Sequence, residues 1–151
     1  MKKELDYIEL FILSMVPIIE LRGAIPIGMA MDLNPFLIYI TCVLGATVVT
    51  MPVILTCRYV LGYMKVKNIL TGAVNKVENK IDKATSKLGN ISFWGLVVFV
   101  GIPLPSSGAW TASMIASMMK LRLGRTMLSI LIGNSIAGFI IMLLSSPLQM
   151  V

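Results

Sequence analysis

Histidine is absent from the chain, and only seven of its 151 residues are acidic. That removes the commonest metal ligand and the usual proton carrier near neutral pH, and leaves few carboxylates for a base or metal set; no enzymatic activity, metal or cofactor is expected. Cysteine is scarce too. Cys42 and Cys57 lie within or at the end of an apolar run, where a thiol behaves as a small hydrophobe rather than half of a disulfide. Charge is sparse altogether, at 13% of residues against 57% hydrophobic, and the mean hydropathy is +0.89. This composition excludes an ordinary soluble domain and predicts one integral membrane domain over residues 1–151. The start mixes Lys2 and Lys3 with Glu4 and Asp6, and no small-residue cleavage site follows the first apolar run, so a cleaved signal peptide is not expected.

What charge there is lies in two places. Of the thirteen basic residues, ten fall in Arg58 to Lys87 and Lys120 to Arg125, between apolar blocks. The net charge of +6 therefore reads as loops facing anionic lipid rather than as a nucleic-acid surface. Four apolar blocks separate these loops. Pro35 to Cys57 and Thr126 to Val151 are uncharged runs of 23 and 26 residues, enough to cross about 30 Å of hydrocarbon. Leu5 to Met31 and Ile91 to Met119 are each cut by proline, glycine and polar residues into pieces of roughly a dozen residues, about 18 Å as helix. Pieces that short reach the middle of a bilayer and turn back.

The expected fold is therefore all-α, with a re-entrant helical hairpin followed by one transmembrane helix in each of two repeats, residues 5–57 and 91–151. Pro17 and Pro105, Met31 and Met119, and Gly45 and Gly133 are each 88 positions apart. A unit that enters and leaves on one face and then crosses once inverts its successor, so the repeats are expected to be inverted, as in many secondary transporters. The positive-inside rule places both termini outside and the linker, residues 58–90, in the cytoplasm of a multi-pass cell-membrane protein. Within that linker Leu70, Val74, Val77, Ile81, Ala84 and Leu88 recur at helical spacing. The pattern predicts an amphipathic helix lying on the membrane surface, with a dimerising coiled coil as the alternative.

Chemistry is concentrated at the interruptions. Glu20 and Arg22 lie between Pro17 and Pro26, and an ionised side chain at membrane depth persists where it meets a cavity, a partner or a substrate. Pro17, Gly23 and Pro26 are expected at the tip of the first hairpin, Pro103 and Pro105 at the tip of the second. One reading has Glu20 and Arg22 locking the turn, through loop backbone or through each other; at a separation of two they share no helical face. The other assigns Arg22 to an anionic headgroup and Glu20 to the exchanged proton. Ser106, Ser107 and Gly108 open a short helix whose free amides attract anions or are capped by the serines, and Trp110 with Thr111 supplies an apolar wall.

Glu20-Leu-Arg-Gly-Ala-Ile-Pro26 together with Pro103-Leu-Pro-Ser-Ser-Gly-Ala-Trp-Thr111 resembles the small multidrug export protein family over nearly the whole chain, and more distantly the DedA (VTT-domain) membrane proteins. The latter resemblance implies two facing re-entrant hairpins, a mid-membrane site of Glu20, Arg22, Pro105 and Gly108, and links to lipid translocation and proton dependence. It departs in two respects: no acid stands near Pro103 to Gly108, where DedA-type proteins typically carry one, and this chain is shorter. The expected function is proton-coupled transport of a small amphipathic or anionic lipid-like substrate, with Arg22, Ser106, Ser107, Gly108 and Trp110 on the substrate and Glu20 on the proton. Export of a lipophilic cation and a structural or assembly role are the alternatives. Membrane lipids and further copies of the chain, as a homodimer or higher oligomer, are the expected partners; nucleic acid is not.

Overall fold

The computed structural model describes residues 2–67, 93–103 and 108–146, together with Gly72, Lys76 and Asn79 of the linker. Every regular element among them is helical. Helix α1 (Lys2–Met15) stops where Pro17 removes an amide and disfavours helical backbone at the residue before it. A turn over 16–19 follows, and α2 (Glu20–Ala30) begins. Gly23 and Pro26, expected at the tip, lie instead inside α2. Pro26 is tolerated there although it forgoes a helical bond, because the segment is already a short piece held by its neighbours. Gly23 has space for a side chain only if Ile19 Cγ2, 2.7 Å from an added Cβ, gives way.

Asn34 then caps α3 (Pro35–Val48), its side chain accepting the amide of Phe36 at 3.0 Å, with Pro35 at the first helical position. Helix α4 (Thr50–Val66) continues α3 after an interruption at Val49, next to the Val48 carbonyl, to which Pro52, four residues on, cannot donate. The pair forms one apolar span, Pro35–Met64, of 30 residues, or about 45 Å. Helix thus runs well past Cys57, the expected boundary of the linker. Arg58 marks a change of charge but offers nothing that breaks a helix. Of the predicted amphipathic segment, the apolar positions Leu70, Val74, Val77, Ile81, Ala84 and Leu88 all lie outside the described residues.

A helix over 93–101, α5, and a second short one, α6 (Ala109–Met118), precede α7 (Leu123–Ser145). Among the described residues, Pro35–Met64 and Leu123–Ser145 are the two helices long and apolar enough to cross a membrane. The last span begins three residues before the expected Thr126, and residues 147–151 lie outside the described set.

Several landmarks recur at the separation of 88. Met31 and Met119 cap α2 and α6, and each is followed by a residue in the left-handed region, Asp32 at φ 54° and Lys120 at φ 51°. The amides of Lys120 and Leu121 return to the carbonyls of Ser117 (3.2 Å) and Ala116 (3.1 Å), and that of Asp32 to Met29 (3.2 Å). This pairing satisfies the open end of the helix. The long helices then start at Pro35 and Leu123. On them Gly45 faces α1, where an added Cβ would lie 2.7 Å from the Phe11 carbonyl, and Gly133 faces α5, 2.7 Å from Val100 Cβ.

Packing is crossed between the halves. Helix α2 lies against α3 but also against α7, while α6 lies against α4. One core gathers Leu10, Leu21, Ile25, Ile38, Cys42 and Ile141; a second gathers Leu96, Val100, Ala112, Ala116 and Ile130. Between the two, the ends of the short helices come together.

Candidate functional site

Glu20 is the first residue of α2 and has φ 48°. Left-handed backbone is rare for a residue with a long side chain. It swings the carboxylate off the face it would occupy in a regular first turn, and this allows the pair that a separation of two otherwise forbids: Arg22 Nη1 donates to Glu20 Oε2 at 2.5 Å. Glu20 is 7% exposed, so the charge is drawn almost wholly from protein.

Two further sets of contacts fix the pair. Arg22 Nη2 donates to the carbonyls of Val100 at 3.2 Å and Ile102 at 3.3 Å, at the end of α5. A guanidinium suits that position, since its planar fork serves several acceptors and the end of a helix carries partial negative charge. The carboxylate accepts the backbone amide of Trp110 in the first turn of α6. It also lies directly against Gly108, where a Cβ would collide with both carboxylate oxygens. Gly108 is thus the N-cap residue of α6 without a capping side chain, and Glu20 of α2 supplies the acceptor in its place. The anion expected at this helix start is, in the structure, the protein's own.

A complementary contact runs the other way. Trp110 Nε1 donates to the carbonyl of Met15, the last residue of α1, at 3.1 Å. Arg22 and Trp110 are 88 residues apart, as are Glu20 and Gly108. Each of α2 and α6 therefore sends one side chain to the end of the first helix of the other half, and their opening residues touch.

Around this knot is a cavity of about 900 Å³. Glu20, Arg22, Gly23 and Thr111 provide its polar lining, and Ile18, Ile19, Ile27, Trp110 and Met114 its apolar walls, with Pro17 in the turn before α2 and Pro103 just after α5. Ile18 is 93% exposed at the tip, so the wall is open beside it. A volume of this size with one polar corner suits a molecule of drug or short-lipid dimensions.

Of the residues expected here, Glu20, Arg22, Gly23, Trp110, Pro17 and Pro103 line the cavity. Gly108 packs behind the carboxylate, and Pro26 sits within α2. Ser106, Ser107 and Pro105 lie outside the described residues. Sequence reading missed Ile27 and Met114, although each is four residues beyond a lining residue, Gly23 and Trp110, and so on the same helical face. It also missed the carbonyls of Met15, Val100 and Ile102, which carry no side-chain signal.

A family model described as "Putative small multi-drug export protein" matches residues 20–140, a stretch that begins at Glu20 and takes in both sides of the cavity. No curated protein and no solved structure matches the chain.

Proposed function

The chain belongs to the small multi-drug export protein family, and from that premise we propose that it is a secondary transporter moving small amphipathic substrates through the cavity between its two pairs of short helices. The observation that carries this reading is the cavity itself: about 900 Å³, walled by apolar side chains, with a single ion pair at its polar corner. In this reading α1–α2 and α5–α6 are re-entrant hairpins, the repeats are inverted, and both termini face outward with the linker in the cytoplasm. The recurrence of helix ends, left-handed caps and close-packed glycines at one separation supports the repeat. The crossed Arg22 and Trp110 contacts support a pseudo-symmetric meeting of the two tips. Glu20 is the proton-exchanging group, because protonation releases Arg22 and the start of α6 together. A homodimer or higher oligomer completes the assembly, since two full spans enclose little on their own.

One observation favours a purely architectural role: Glu20 and Arg22 are partnered by each other and by backbone, as a lock would be. Reconstitution separates the two. In proteoliposomes under a pH gradient, wild-type protein should move a fluorescent alkyl-chain probe, and Glu20→Gln should abolish the gradient-driven component while eluting as a folded protein. Inert wild-type protein, with Glu20→Gln failing to fold, would establish the lock and remove the transporter.

A further inference from the structure

The site that holds the Glu20 carboxylate is better fixed than the carboxylate itself. Arg22 keeps its place through Val100 and Ile102, and α6 is anchored beside it by the indole of Trp110 on Met15. Glu20 stays by adopting a left-handed backbone that opposes its remaining there. Rigid donors and a strained acceptor describe a site with a displaceable occupant. The donors also form the polar corner of the cavity, directly beneath walls of Ile18, Ile27 and Met114.

Resting on the transporter reading above, we propose that this corner is the headgroup subsite for an anionic amphipath, and that Glu20 is a tethered stand-in which the substrate displaces. The substrate's anionic oxygen takes Arg22 Nη1 and the Trp110 amide, and its apolar part lies along the cavity wall. Arg22 is the countercharge for whichever anion is present. The charged residues of α1, Lys2 to Glu9, are confined to its first eight positions, and α5 and α6 contain no charged residue. Two anions beside one guanidinium repel, so displacement goes with proton uptake by Glu20: one anion enters the subsite as one proton binds the departing carboxylate. A cationic amphipath finds Glu20 already held by Arg22 and gains no counter-ion.

The test uses full-length protein in phosphatidylcholine nanodiscs with Trp94→Phe, which leaves Trp110 as the reporter of the two tryptophans. The probes are an alkanesulfonate and an alkyltrimethylammonium bearing the same brominated tail; neither headgroup titrates near neutral pH. Saturable quenching of Trp110 by the sulfonate should strengthen as pH falls, and the ammonium should show no such trend. Glu20→Gln should bind the sulfonate about tenfold more tightly at alkaline pH, about 1.4 kcal/mol, and lose the pH dependence. A pH-independent wild-type response overturns the proposal even if the variant does not fold. Selective quenching by the ammonium overturns the anionic assignment and leaves the cavity a binding site. No saturable quenching by either probe removes the cavity as a substrate site and the transporter reading with it.

Discussion

Glu20 combines two costs that proteins usually avoid, a left-handed backbone and a buried carboxylate. They are offset by Arg22 and the Trp110 amide, so removing either partner should be felt. Arg22→Ala strands the carboxylate and should destabilise the detergent-solubilised protein by on the order of 3–5 kcal/mol, whereas Glu20→Gln with Arg22→Gln, which removes both charges, should recover much of that loss in thermal unfolding. Gly108 adds a steric version of the same test. Its Cβ would strike the Glu20 carboxylate, so Gly108→Ala should cost roughly 1–3 kcal/mol and cost clearly less in a Glu20→Ala background. An equal cost in both backgrounds would show that the two residues are not coupled. At this scale the sequence made Glu20 and Arg22 conspicuous as charges in an apolar run. It left their pairing as one reading among several, because regular helix geometry forbids it and the left-handed φ that permits it carries no mark in a glutamate.

The helices follow from punctuation: Pro17 ends α1, Pro35 opens α3, and apolar runs without charge become the long spans. Where punctuation misleads, the cause is physical. Pro26 reads as a tip residue but lies in α2, since a short helix packed against α1, α3 and α7 tolerates one missing bond. Arg58 reads as the start of a linker, although a charged residue changes the solvent a helix prefers without stopping it. Its guanidinium in fact donates to the Leu121 carbonyl and ties α4 to the end of α6. The long helices are joined at depth by Asn134 Nδ2, donating to Thr47 Oγ1 at 3.1 Å beside the interruption at Val49. Thr47 in turn donates to the Val43 carbonyl, one turn back along α3, so the bond to Asn134 is seated on the helix before the interruption. Asn134→Ala should lower stability by about 0.6–1.7 kcal/mol, the range for hydrogen bonds between membrane helices. Thermal unfolding beside a Thr47→Val control, which should lose a similar amount non-additively, checks it.

For the whole molecule, the proposed transport site requires that the four short helices approach from opposite faces of the membrane. Position 32, after α2, and position 120, after α6, are the same place in the two units, each left-handed and each exposed. In an inverted repeat they lie on opposite sides of the bilayer. The most direct measurement is therefore sided labelling of single cysteines at these two positions, Asp32→Cys and Lys120→Cys, in a background with Cys42 and Cys57 replaced. The reagent is a membrane-impermeant maleimide applied to intact cells and to inverted vesicles. The account predicts that Cys at 32 reacts only from outside and Cys at 120 only from the cytoplasmic face. Labelling of both from one side would contradict it, because two hairpins entering from the same face cannot enclose a cavity reached in turn from each side of the membrane.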